Sequence, residues 1–212
     1  MNNIQTIILL ALNEIKNYGP KTIIELYSNF RYLNDNLFDF PDFIEFLKSK
    51  NLNEEFIEIF NQKVVYIQNE LSKDKVKSIK IISFFDDEYP IQLTLLKNPP
   101  LFLFCRGNTV LLKNMNNIAI VGTRGNSELG AKIAAKTAYS FVDYKYTIVS
   151  GLARGIDTAA HIGTLRNNGN TIAILTDLNK IYPSENMSLA NEILHKNGLL
   201  LSEIAPWKNI YR

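Results

Sequence analysis

One cysteine, Cys105, stands alone in 212 residues, so no disulfide framework and no cysteine-based zinc site can organise this chain. Disulfides belong to oxidising compartments, and their exclusion fits a reducing one. Cys105 itself lies in the apolar run "PLFLFCRG" and reads as core. Histidine is nearly as scarce: His161 and His195 are too few for a zinc centre. No apolar run approaches the roughly 20 residues needed to cross a bilayer, and the start, "MNNIQTIILLALNEIKN", lacks a basic leader and a small-residue cleavage motif. The expectation is a cytoplasmic protein with no membrane partner and no bound metal. A dominant charge of one sign is also missing. A net charge of +2 does not by itself announce a nucleic-acid binder.

What is present is an ordinary globular composition, 46% hydrophobic and 21% charged, with charge distributed unevenly. Residues 1–72 carry 6 Lys/Arg against 10 Asp/Glu, residues 73–80 ("KDKVKSIK") carry 4 against 1, and residues 118–212 carry 10 against 7. The acidic part reads as short helices. "IQTIILLALNEI", "PKTIIELYSNF", "PDFIEFLKSK" and "NEEFIEIFNQKVVYIQNEL" space apolar residues three and four apart, with Pro20 and Pro41 near helix starts. Within it "IKNYGPKTIIEL" suggests a degenerate helix-hairpin-helix. Only Gly19 marks its turn, and the surrounding acidity opposes contact with a phosphate backbone, so a structural or partner-binding role is the expectation there.

From Ser78 the pattern changes. "IKIISFF" and "PLFLFCRG" are β-branched and aromatic runs bounded by turn residues. Then "NIAIVG", "YTIVSG", "TIAIL" and "GLLLSE" alternate with stretches of helical spacing, which argues for a parallel sheet covered on both faces. Ser127, Asp157 and Ser184 are expected N-caps, and Gly169 and Gly198 are expected just past helix ends. The expected division is a helical domain over residues 1–75 and an α/β core over 76–212.

In such a sheet, ligands sit outside the carboxyl ends of the strands. The first of these ends, "VGTRGNSELG", sets Gly122, Thr123, Arg124, Gly125, Asn126 and Ser127 at a strand-to-helix turn. It is neither the dinucleotide fingerprint nor a Walker A loop, because Ala131 stands where the lysine of the latter would be. No cofactor is therefore expected. Arg124 offers a planar fork suited to phosphate. The next end, "SGLARGIDTAAH", brings Ser150, Gly151 and Gly155, and the two glycine turns are read as walls of one anion cradle. Asp157 and His161, four apart on one helix, are either an acid–base pair or structural support, and with no nucleophile or ligand set beside them the structural reading is preferred. The third end, "TDLNKIYPSENMSLA", adds Lys180 for phosphate and Tyr182 for stacking on a base.

Together these stretches resemble the DNA-processing protein A family (DprA, also called Smf). The resemblance rests on "DDEYPIQLTLLKNPPLFLFCRGN", "IAIVGTRGNSELG", "IVSGLARGIDTAAHIGTL", "TIAILTDLNKIYPSENMSLANEI" and "GLLLSE", in the family's order over roughly Asp86 to Glu203. It implies a Rossmann-like core preceded by a small helical (SAM-like) domain, with binding of single-stranded DNA and no catalysis. The implied role is in natural transformation and recombination: protecting incoming strands and helping load a RecA-type recombinase. Family members are often homodimers. The family's phosphate turn maps onto Gly122, Thr123 and Arg124, and its second glycine turn onto Ser150 to Asp157.

The chain departs from the family in two places. Asp177, Leu178 and Asn179 stand where a Gly-Leu-Asp turn is common, in a loop one residue shorter. The sequence also stops after "SEIAPWKNIYR", before the Phe-Pro and Arg-Asn-Arg segment whose further strands complete the family's sheet. The expectation is either a sequence cut short or a reduced homologue whose sheet edge must be covered by a partner. Two other readings stay open: a remnant that binds a partner protein through its helical part without binding DNA, and a nucleotide-processing enzyme of related fold. The enzyme reading lacks the Pro-Gly-Gly-x-Gly-Thr loop of nucleotide phosphoribohydrolases.

Overall fold

A computed structural model describes residues 4–33 and 39–208. The chain forms two compact units: residues up to Lys77 with Ser83–Phe85 and Gln92–Phe102, and Ser78–Ile82 with Asp86–Ile91 and the residues from Leu103 on.

In the first unit, α1 (Ile4–Asn13), α2 (Pro20–Leu33), α3 (Phe40–Ser49) and α4 (Glu54–Ser72) follow the four periodic stretches, and a four-residue turn, α5 (Asp74–Lys77), follows them. Capping explains two of the starts. Asp39 and Asp42 satisfy each other's backbone amides in a reciprocal box, and the Asn53 side chain accepts from the Phe56 amide at 2.9 Å. The core is aromatic, with Tyr27, Phe30, Phe43 and Phe60 fully buried and Phe43 edge-on to Phe30.

The second unit is built on a six-stranded sheet of β1 (Lys80–Ser83), β2 (Phe102–Gly107), β3 (Asn117–Ala119), β4 (Thr147–Ser150), β5 (Thr171–Ile174) and β6 (Leu199–Ser202), in the order β1-β2-β6-β5-β4-β3. Strands β3 to β6 are parallel, as their continuous apolar runs predict. Strand β2 runs antiparallel to β6, so the sheet is mixed rather than purely parallel. The reason is topological: β2 precedes the α/β alternation and reaches the far side of β6 without a crossover helix after it. A short turn, α6 (Ile91–Thr94), precedes β2.

Helices α7 (Glu128–Asp143), α8 (Ile156–Arg166) and α9 (Met187–His195) connect the parallel strands. Helix α8 buries residues around its whole circumference, including Asp157, Ala160, His161 and Leu165, because it is packed by α7, α9 and the sheet. Ala138, Ile148 and Ala160 form the fully buried centre between α7, β4 and α8.

The caps are partly as expected. Ser127 caps α7, its hydroxyl accepting from the Gly130 amide at 3.1 Å. Asp157, expected as a cap, lies inside α8, and Gly155 holds the cap position with φ 83°. Ser184 opens a 3-10 turn (Ser184–Asn186) and makes no side-chain cap. At the ends of α8 and α9 the left-handed residues are Asn168 and Asn197, each one residue before the expected glycine. Gly169 and Gly198 are required for space instead: a Cβ would lie 2.2 Å from Val142 and 2.6 Å from Ile193.

Candidate nucleic-acid interface

Three loops leave the sheet on one side, at the carboxyl ends of β3, β4 and β5, because these strands are parallel neighbours. The first two are packed closely against each other, with backbone meeting backbone at Gly155 and Thr123. Gly155 needs both its positive φ and its missing Cβ, since an added Cβ would come 2.2 Å from the Thr123 carbonyl oxygen. Gly122 likewise lies against Ile156, where a Cβ would sit 2.8 Å from the side chain. The Ile156 amide donates to the Thr123 carbonyl at 3.3 Å.

Asp157 joins both loops. One carboxylate oxygen accepts from the Gly122 amide at 3.4 Å and the other from the Gly151 amide at 3.0 Å. Two glycine amides that a cradle would offer to an anion are thus already engaged. The Gly125 amide turns inward too, donating to the Thr123 hydroxyl at 3.2 Å. Ser150 is buried, and its hydroxyl donates to the Ile120 carbonyl at 2.6 Å, so it ties β4 to the end of β3.

His161 does not meet Asp157. Thr171 donates its hydroxyl proton to the Ile148 carbonyl, so the 2.7 Å contact with His161 Nδ1 requires that nitrogen to carry the proton. Nε2 has no partner among the described residues, and burial pushes the imidazole down to about 4, leaving it neutral at neutral pH.

The cleft beside these loops has a free volume of about 150 Å³, and its wall brings together Arg124, Gly151, Lys180 and Tyr182 from the sequence-derived set. Gly122, Thr123, Ser127, Ser150 and Gly155 from that set do not line it. Arg124 is exposed, and no hydrogen bond or ion pair engages its guanidinium among the described residues. Tyr182 is 61% exposed, enough ring face for a base to stack on.

Several cleft-forming residues escape sequence reasoning. Arg154 and Asp177 line the cleft, and Arg154 is ion-paired with Glu185. Arg106, on β2, holds the third loop through the Leu178 carbonyl at 2.9 Å and the Asn179 side chain at 3.1 Å. Asn186 donates to the Leu152 carbonyl and the Thr158 hydroxyl, both at 2.8 Å, fixing a turn in which Leu152 takes φ 56°. Only the "ARG" tripeptide carried a readable signal, an Arg flanked by turn glycine. Arg106 and Asn186 are remote in sequence from the loops they hold. Among the described residues no group of three or more His, Cys, Asp and Glu gathers as metal ligands, and no helix is long and apolar enough to cross a membrane.

Comparison with known proteins agrees with this geometry. The DNA processing protein DprA of Streptococcus pneumoniae is 37% identical over 149 residues, covering 70% of this chain and 52% of the relative. Protein Smf of Synechocystis is 32% identical over 213 residues, covering 96% of this chain and 52% of the relative. The chain thus spans about half the length of the curated relatives it matches. The X-ray structure of S. pneumoniae DNA processing protein A superposes with a TM-score of 0.72 at 27% identity, over 100% of this chain and 71% of that one. DNA processing protein A from Helicobacter pylori, described with a unique single-stranded DNA binding mode, superposes with a TM-score of 0.51 at 31% identity over 59% of this chain and 55% of that one. The family model for DNA recombination-mediator protein A matches residues 80–212, and the chain belongs to that family.

Proposed function

We propose that this chain binds the backbone of single-stranded DNA in the cleft at the strand ends, without catalysis, as a DNA-processing protein of transformation and recombination. The observation that carries the reading is the unengaged Arg124 guanidinium on the same cleft wall as Lys180 and the exposed Tyr182. Together these supply charge for phosphate and an aromatic face for a base. The H. pylori relative's single-stranded DNA binding supports the ligand class. The two groups that an enzyme reading would use are both spent on structure: Asp157 on two loop amides, and His161 neutral on Thr171. Protection of incoming strands, aid in loading a RecA-type recombinase, homodimer formation and an independent helical domain over residues 1–75 belong to this reading as the family's expected roles.

The test is fluorescence anisotropy of a labelled oligo-dT titrated with the full chain at two salt concentrations. Binding that weakens with salt, and weakens by about tenfold or more in Arg124→Ala, is the expected result. Equal affinity of the variant would remove Arg124, and with it the cleft, from the DNA site.

A further inference from the structure

The cations of the cleft differ in what they touch. Arg124 is unengaged, whereas the Arg154 Nε donates to a carboxylate oxygen of Glu185. Both partners of this pair are solvent-exposed, at 59% and 52% of their side chains. Glu185 is placed there by its neighbour. Asn186 is buried and donates to the Leu152 and Ala153 carbonyls and to Thr158, so the segment carrying Glu185 is pinned to the turn carrying Arg154. Backbone geometry therefore sets a carboxylate against this guanidinium. Carboxylate and phosphate oxygens both accept from guanidinium donors, so a phosphate that takes the Nε donor must displace the Glu185 oxygen now bound to it. The Arg154 hydrogen bond holds the Glu185 carboxyl below its usual range, favouring the negative form.

We infer that Arg154 is a phosphate-binding residue of the cleft and that Glu185 is its built-in competitor, which holds the guanidinium until a DNA phosphate displaces it. The inference rests on the single-stranded DNA reading above. The exchange is accessible because an exposed ion pair in water is weakly held and screened by salt. Its consequence is an affinity kept below what the three cations would give, with a strand that is released readily.

The experiment is a double-mutant cycle on the full chain with labelled oligo-dT, using wild type, Glu185→Gln, Arg154→Ala and the double variant, with Arg124→Ala alongside. Glu185→Gln should bind about two- to fivefold more tightly at low salt, and this gain should shrink as salt rises. Arg154→Ala should bind more weakly, and adding Glu185→Gln to it should change nothing. A gain that persists in the Arg154→Ala background would mean that Glu185 acts only through the general field of the cleft, and would overturn the inference. So would unchanged or weaker binding by Glu185→Gln, because the pair would then be a structural clasp. If wild type binds and Arg124→Ala does not, while Glu185→Gln shows no gain, the competitor falls and the cleft stands. Absence of salt-dependent binding by wild type removes both.

Discussion

At the residue scale, the acid–base pair suggested by "DTAAH" separates into two structural devices. The spacing is right for a helix, but a single helix face does not decide which neighbours compete for the side chains. Asp157 is taken by amides from two other loops, and His161 by a threonine on β5. This makes His161 a pH-sensitive element of stability. Its folded-state value of about 4 lies below the ordinary value of 6.5, because burial penalises the charged form. The unfolded state therefore takes up a proton first as pH falls. Stability from this group is complete above about 6.5 and is lost progressively toward pH 4, by up to about 3 kcal/mol. Urea unfolding at pH 7.5 and pH 5 should show this loss in wild type, and the pH-dependent part should be absent in His161→Asn whatever that variant's starting stability. An equal drop in both would assign the acid sensitivity elsewhere.

At the scale of elements, the four helical stretches, the apolar strands and the Ser127 cap were legible because period and capping are local properties. The antiparallel pairing of β2 with β6 was not, because nothing within "PLFLFCRG" records its partner. The two expected C-cap glycines show the same limit. Asparagine takes the left-handed conformation, and glycine is fixed by a distant Val142 or by an Ile193 whose approach depends on packing.

A close helix contact was equally invisible: Gly163 of α8 meets the α7 backbone at Ala135, where a Cβ would lie 2.1 Å from the carbonyl oxygen. Backbone cannot yield as a flexible side chain does. Gly163→Ala should therefore force α7 and α8 apart and cost about 2 kcal/mol or more, lowering the urea midpoint. A midpoint unchanged from wild type would show that the pair slides without penalty.

At the scale of the whole molecule, charge decides how DNA would be held. In the basic run at residues 73–80 three lysines are already paired: Lys73 with Glu70, Lys77 with Asp74 and Lys80 with Glu88. The helical residues around it are acidic, so this part of the chain offers a phosphate backbone little. At the strand ends Arg124 is exposed and, among the described residues, unengaged, and it shares the cleft wall with Lys180, with Arg154, which is ion-paired with Glu185, and with Asp177. Each phosphate contact on a single strand contributes about 0.7 to the slope of log affinity against log salt, so two or three contacts give a slope of about −1.5 to −2. Anisotropy titrations at four or five salt concentrations measure it directly. A slope steeper than about −4 would need more phosphate contacts than the cleft has cations. Cations outside the cleft, such as Lys136 on α7 and Arg166 on α8, would then have to meet the strand, and the binding surface would extend well beyond the cleft.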